Sequence, residues 1–458
     1  MSSHVGDRAI VLGGSMAGMF VARVLSDVFA EVLVVDRDAL AGVREGRRGV
    51  PQGRHAHGLL ARGQEILEDF FPGFTAELIA ADIPVGDLGG QVRWYFDGHR
   101  LRPSDIGLRL VGVARPVLED HVRRRVRAIR NVTFLDSTDV IGPVAAAGSD
   151  RVTGVRVQGR GPGAAEEVLD ADLVVDATGK GSRAPGWLAS LGYGNVEEDR
   201  VKVGLAYTSR RYRFDVDPFR GDMSINPVAT PANPRGAFLH TLGGGFGMLS
   251  LTGILGDHPP TDEEGFLAFA KSLPVPDVHD AIVDAEPIGA PVTFKYPASQ
   301  RRRFEKLSRL PQGFLVAGDA VCSFNPVYGQ GMASAALQAL TLREHLQSGI
   351  PDPRAFFKDI AKVVDAPWEI SAGGDLAFPE VEGKRTLKVR MGNAFTARLQ
   401  TAATHDAGLG EAFLRVAGLI DPPQSLMRPS MVLRTLRTPR TPAGDSRPEP
   451  GPRLRRAA

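Results

Sequence analysis

The residues with the clearest chemical purpose lie in two glycine-rich turns near opposite ends of the chain. The first, Gly13-Gly14-Ser15-Met16-Ala17-Gly18, follows the apolar run Ala9-Ile10-Val11-Leu12. The second, Gly318-Asp319-Ala320, precedes Asn325-Pro326-Val327-Tyr328-Gly329-Gln330-Gly331. A buried strand ending at Leu12, a tight glycine turn and a helix opening near Ser15 form a phosphate site: the turn lets backbone approach a pyrophosphate, and the helix start offers unpaired N–H groups and positive charge. Gly18 lets that helix pack closely on its sheet. The next apolar run, 31–35, ends at Asp36, about twenty residues beyond the turn, where a carboxylate can accept hydrogen bonds from ribose hydroxyls. Arg37 follows as a further candidate for the same nucleotide. Ser15 stands where the usual G-x-G-x-x-G pattern has its second glycine, so its side chain either crowds the pyrophosphate or hydrogen-bonds it.

The second turn supplies the other half of such a ligand. Residues 313–319 read as a buried strand ending in a carboxylate, Asp319, suited to ribityl or ribose hydroxyls. Gly329-Gln330-Gly331 opens a helix running to about residue 347. With no side chains at 329 and 331, backbone can approach a flat ring, and the helix's positive end favours negative charge at the N1–C2=O edge of a flavin. The two turns together point to non-covalent FAD. A third turn, Ala177-Thr178-Gly179-Lys180-Gly181-Ser182-Arg183, follows the apolar run 173–176 at what reads as the same sheet edge.

The elements that must position these turns are set by pattern and length. At 458 residues the chain can bury about three-quarters of its unfolded surface and exceeds one ordinary core. The expected fold class is α/β: a Rossmann-like FAD-binding domain interleaved with a substrate domain on an antiparallel sheet, plus C-terminal helices. Its boundaries are 1–186 and 305–350 for the FAD-binding domain, 187–304 for the sheet, 351–436 for the helices and 437–458 for a disordered tail rich in proline and arginine. Tyr207, Phe238, Phe246 and Phe294 are the candidates for lining a substrate cavity in the sheet domain. A net charge of +2 is too small to imply nucleic acid, and Arg123-Arg124-Arg125 and Arg301-Arg302-Arg303 lack interleaved aromatics. The one cysteine, Cys322, excludes an internal disulfide and a CxxC metal or redox pair, so no metal is expected. The polar N-terminus and the absence of a long apolar run predict a cytoplasmic protein without a membrane span.

The order GGSMAG, Arg115, DATGKGSR and GDA with NPVYGQG resembles the FAD-dependent aromatic hydroxylases and epoxidases of the para-hydroxybenzoate hydroxylase fold over about residues 8–350. The stretch Val50-Pro51-Gln52-Gly53-Arg54-His55-Ala56-His57, with NPVYGQG, narrows the resemblance to bacterial flavin epoxidases of polyether biosynthesis. That resemblance implies that Gly13, Gly14, Ser15, Met16, Ala17, Gly18, Asp36 and Arg37 bind the ADP half, with Arg54 and Arg115 nearby and Arg115 at the pyrophosphate. Asp319 would hold the ribityl chain, and Pro326, Gly329, Gln330, Gly331 and Met332 would flank the ring. The catalytic residue is unassigned, with Pro326, His55 and His57 as candidates.

The implied reaction inserts one oxygen atom of O2, through a flavin C4a-hydroperoxide, into an apolar polyketide- or terpenoid-like substrate, with epoxidation favoured over aromatic hydroxylation. Such chemistry belongs to secondary metabolism and antibiotic biosynthesis. Electrons would come from NAD(P)H or from a separate flavin reductase. Asp176-Ala177-Thr178-Gly179 departs from the Asp-Gly dipeptide of the hydroxylases, which favours the reductase. A halogenase would be expected to show a G-W-x-W-x-I-P segment, and Trp94, Trp187 and Trp368 do not form one. A prenyl-chain reductase or a halogenase on the same frame and a non-enzymatic nucleotide-binding module are the remaining alternatives.

Overall fold

The computed structural model describes residues 4–47, 49–145 and 150–443. Five parallel strands form the sheet that carries the glycine turns, in the order Phe314–Val316, Leu173–Asp176, Gly6–Leu12, Phe29–Val35 and Val132–Leu135. Such strands are covered on both faces and read as unbroken apolar runs. Ala9, Ile10, Val11, Val174, Val175, Leu315 and Val316 are accordingly buried. The register aligns the strand ends: Leu12 stands opposite both Val35 and Asp176, and Asp176 opposite Val316. These four strand ends are therefore level, and the three turns open on one edge.

Two helices leave that edge, Met16–Leu25 and Gly331–Leu346, and pack against each other. The first buries all but two of its residues, Ala17 and Arg23. Its close fit depends on Gly18, where an added Cβ would lie 1.7 Å from the carbonyl oxygen of Gly13. Gly13 itself has φ +99°, a conformation that favours glycine.

A seven-stranded sheet stands across the edge, in the order Glu286–Tyr296, Leu205–Arg213, Phe246–Gly253, Arg235–Gly243, Ser224–Val228, Val92–Phe96 and His99–Arg100. All its pairs are antiparallel except Ser224–Val228 with Val92–Phe96. Two of its strands thus come from residues 92–100, outside the expected 187–304 span. A long-range parallel pair has no turn signal between its partners, so local pattern could not announce it. Side chains alternate across this sheet. Ile225, Ala237, Leu239, Leu249 and Leu251 pack under Phe266, Phe269 and Val278 of the helices Glu263–Lys271 and Asp277–Ile282. Ser224, Asn226, Phe238, His240, Ser250 and Thr252 belong to the opposite face.

Helices Pro353–Asp375, Leu387–Ala403, Ala407–Ala417 and Pro429–Arg437 complete the chain, with Leu399, Ala402, Leu409 and Val416 packed beside Leu101 and Trp94. The first residues after 437 are tied back: the Ala443 N–H donates to Thr404 Oγ1 at 2.9 Å, and His405 Nε2 lies 2.8 Å from the Thr441 carbonyl. The rest of the expected tail, 444–458, lies outside the described residues. Among the described residues no helix is long and apolar enough to cross a membrane.

Gly18→Ala forces the helix off its turn and should cost about 1–3 kcal/mol, as overpacking in a core does. A clear fall in the thermal midpoint checks this, and an unchanged midpoint would show that the turn yields freely.

Candidate active site

One cavity lies between the turn edge and the polar face of the seven-stranded sheet. Its floor includes Ser15, Met16 and Ala17 of the first turn, Ala177 to Gly179 of the third, and Asp319, Pro326, Gly329, Gly331 and Met332 of the second. Residues Val50, Gln52, Ala56, His57 and Gly58 form one side, and Tyr207, Asn226, Phe238, His240, Ser250 and Thr252 form the opposite wall.

Both helices that leave the edge begin without a side-chain cap. Ser15 and Gln330 occupy the cap positions, and neither side chain bonds the first turn. Among the other helices, Asp262, Asp352, Thr386 and Asp406 cap theirs through the side chain, and those beginning at Ala61, Phe74, Arg115, Ala184, Asp277 and Pro429 have no such cap, so what sets these two starts apart is the cavity they share at the strand edge. The two uncapped starts leave N–H groups and positive partial charge directed at one space, which suits an anion and an electron-rich ring edge. The Gln330 side chain, expected to flank the ring, is not among the residues that line the cavity; it is 1% exposed and has neither Nε2 nor Oε1 hydrogen-bonded.

Around the first turn the charges compensate each other. Asp36 accepts from the Gly14 N–H at 2.7 Å and the Asp38 N–H at 2.8 Å, which braces the turn. Arg47 reaches Asp36 at 3.4 Å, Asp38 at 2.9 Å and Glu119 at 2.8 Å. Glu119 also meets Arg123 at 2.9 Å and Arg115 at 3.4 Å, and accepts from Ser15 Oγ at 3.0 Å. Burial pushes Glu119 up, but the guanidiniums of Arg115, Arg47 and Arg123 outweigh it and hold the carboxyl below the ordinary range. The Ser15 hydroxyl is thereby turned toward Glu119. Asp319 at the second turn is pushed up by burial, with Arg115 and Lys180 opposing. Lys180 donates to the Ala298 carbonyl at 2.8 Å and lies 3.8 Å from the Tyr296 ring centroid. Burial brings it down to about 8.

The sheet wall is uncharged. His57 Nδ1 lies 3.0 Å from the His55 carbonyl. A carbonyl only accepts, so Nδ1 carries the proton and Nε2 is the acceptor. Burial first, then Arg115, pushes His57 down to about 3. Burial alone lowers His240 to about 4, and burial with Arg54 lowers His55 to about 4. All three are neutral at pH 7. His55 sits one layer back, with Nδ1 2.7 Å from Ser209 Oγ and its ring edge-on to Tyr207 at 4.5 Å.

The loop 325–331 is braced from the Pro353–Asp375 helix. Asn325 Nδ2 donates to Asp375 Oδ1 at 2.8 Å, and Tyr328 hydrogen-bonds the same carboxyl group. Gly374 leaves room for the phenol: a Cβ there would lie 2.5 Å from the Tyr328 oxygen. Burial raises Asp375 to about 7 against those two hydrogen bonds.

Of the expected site residues, Ser15, Met16, Ala17, His57, Arg115, Tyr207, Phe238, Asp319, Pro326, Gly329, Gly331 and Met332 line the cavity. Gly13, Gly14, Gly18 and Asp36 shape the turn beneath it. Arg37 and Arg54 are exposed, the latter beside Gly46. Phe294 backs Tyr207 at 5.5 Å, and Phe246 begins its strand opposite Arg213 and Gly243, so neither belongs to the lining. Reading the sequence missed Arg47, Glu119, Asn226, His240 and Asp375. Only Glu119 had a local signal, its four-residue spacing from Arg115 and Arg123 on one helix face.

No family model matches the chain. Protein Rv3254 of Mycobacterium tuberculosis is 34% identical over 440 residues, which cover 92% of each chain. Solved structures of the same fold include the flavin-dependent brominase Bmp2, at TM-score 0.66 and 14% identity over 90% of this chain and 93% of that one. The p-nitrophenol 4-monooxygenase PnpA from Pseudomonas putida matches at 0.63 and 15%, over 92% and 99%. The Diels-Alderase PyrE3 matches at 0.60 and 16%, over 91% and 81%. At these identities the structural likeness is one of fold.

Arg47→Ala leaves Glu119 and Asp36 buried with less compensation and should destabilise the protein by about 3–5 kcal/mol, as breaking a buried pair does. Chemical denaturation measures it, and a change within error would remove Arg47 from the support of the turn. Asp375 gives a pH signature. Its pKa is raised on folding, so its contribution to stability is full below the unfolded value and is lost as pH rises toward about 7. Asp375→Asn should therefore raise the thermal midpoint more at pH 8 than at pH 5. An equal shift at both pH values would contradict this.

Proposed function

Since the chain belongs to the family of Protein Rv3254 of Mycobacterium tuberculosis and has the fold of flavin-dependent monooxygenases and halogenases, we propose that it is an FAD-dependent monooxygenase that epoxidises an alkene of a largely apolar substrate. The observation that carries this reading is the pair of uncapped helix starts opening on one cavity with a sheet wall opposite. The start at Ser15 suits the pyrophosphate. The start at Gln330, with Gly329 and Gly331 beside it, suits the ring, and Asp319 between them suits the ribityl hydroxyls.

Bound FAD would supply the electrons with which O2 is divided, one atom to the substrate and one to water, as two electrons and two protons are consumed. The chain's own duties are to orient the substrate carbon, keep bulk water out and place hydrogen bonds. The neutral histidines favour epoxidation over phenol hydroxylation. An imidazole lowered to about 3 or 4 is a weak base, and a phenol gains from losing its proton, whereas an alkene has none to lose. Oxygen transfer is favoured over halogenation because Lys180, the lysine near Asp319, is held by Ala298 and Tyr296 and is not among the cavity residues. The departure at 176–179 favours a separate flavin reductase as the source of electrons. There Asp176 is spent on its own loop, accepting from Thr178 Oγ1 at 2.6 Å and Ser182 Oγ at 2.6 Å.

The test is turnover of the FAD-loaded protein with a general flavin reductase under isotopically heavy oxygen gas, with alkenes and phenols as substrates. Heavy oxygen in an epoxide is expected. Hydrogenated alkene without oxygen, or failure to bind FAD at all, would overturn the reading.

A further inference from the structure

The sheet wall is more polar than an apolar substrate requires. His240 and Thr252 are 7% and 3% exposed and line the cavity, yet His240 Nε2 and Thr252 Oγ1 have no hydrogen-bond partner. Asn226 stands on the next strand, since Ser224 of its own strand pairs directly with His240. Its amide is held by one contact, Oδ1 to Ser224 Oγ at 2.5 Å. An amide has two hydrogens to donate, and those of Asn226 are left for the cavity. Burying such groups unpaired is unfavourable, and the fold keeps two of them beside the Asn226 amide on strands whose other faces are filled with leucine and isoleucine.

No charged partner stands on this wall. Arg115 is the cation among the described cavity residues, and it is tied to Ser15 at 3.3 Å and Glu119 at 3.4 Å at the dinucleotide end. A carboxylate or phosphate against His240 would be buried without compensation. Leu88, Trp94, Leu110 and Met223 complete the surroundings with apolar surface, and Trp94 Nε1 is already spent on the Leu88 carbonyl at 3.0 Å.

We propose that the substrate carries an uncharged hydroxyl group that lodges against His240, Asn226 and Thr252, while its hydrocarbon body lies against Trp94 and Leu110. A hydroxyl both donates and accepts. It can satisfy a neutral imidazole and an amide N–H together, which a hydrocarbon cannot, and it anchors the chain so that a fixed carbon faces the ring site. The inference rests on the monooxygenase reading for the role of that anchor, and its own test does not need turnover.

Calorimetric titration of the FAD-loaded protein with matched pairs provides that test: geraniol against its deoxy hydrocarbon, and naphthol against naphthalene. An apolar cavity favours the hydrocarbon of each pair, because the alcohol must give up water. Here the alcohol of the better-binding pair should bind at least tenfold more tightly. His240→Phe should reduce that preference to threefold or less while FAD stays bound and hydrocarbon affinity is kept. Equal or tighter hydrocarbon binding in both pairs would overturn the proposal, as would an undiminished preference in the variant. The wild-type comparison stands even if the variant fails to fold. An alcohol preference without oxygen transfer would keep this site and remove the monooxygenase reading, whereas oxygen transfer without a preference would do the reverse.

Discussion

The register of the parallel sheet is the constraint on which the rest depends. Leu12 opposite Asp176, and Asp176 opposite Val316, set three strand ends level. A slip of one residue in any pair would turn its side chains to the other face and move its turn off the edge. Because the alignment holds, the helix starts at Ser15 and Gln330 converge although three hundred or so residues separate them. The glycines then act locally: Gly18 lets the first helix sit on its own turn, and Gly329 and Gly331 clear the backbone of the second.

Charge is divided along the cavity. At the first turn Arg47, Arg115 and Arg123 share Glu119 and Asp36 in a compact network, so the turn carries its positive charge without isolated buried ions. At the sheet wall the ionisable groups are the His240 imidazole and the Tyr207 phenol, both kept neutral by burial, and the His57 imidazole on the adjoining side is neutral as well. One end is thus rich in compensated charge, and the other is polar and uncharged. The loop 325–331 joins the two ends and is braced by Asp375 through Asn325 and Tyr328.

Most of the first part of the fold was legible from pattern. The strands at Ala9 to Leu12 and at 31–35, 132–135 and 173–176 are short, apolar and bounded by turns, and each forms. The helices after Arg115 and Gln330 likewise arise from their start signals. What could not be read arises from distance in sequence. Val92–Phe96 joins the substrate sheet only because it pairs with Ser224–Val228. His240 and Asn226 become neighbours only through strand pairing, and Arg47 meets Glu119 only after the loop folds back. Phe246 and Phe294 looked like cavity aromatics because alternation gives a face but not how far the cavity extends over it: both share the face of Tyr207, Phe246 at the far end of its strand and Phe294 on the edge strand.

A crystal structure of the protein grown with FAD tests the central claim most directly. The account predicts the pyrophosphate at the N–H groups of Met16 and Ala17, Asp319 on the ribityl hydroxyls, and the ring between the 326–331 loop and the wall that carries His240. A dinucleotide bound in another orientation or at another surface, with those helix starts left unpaired, would contradict it.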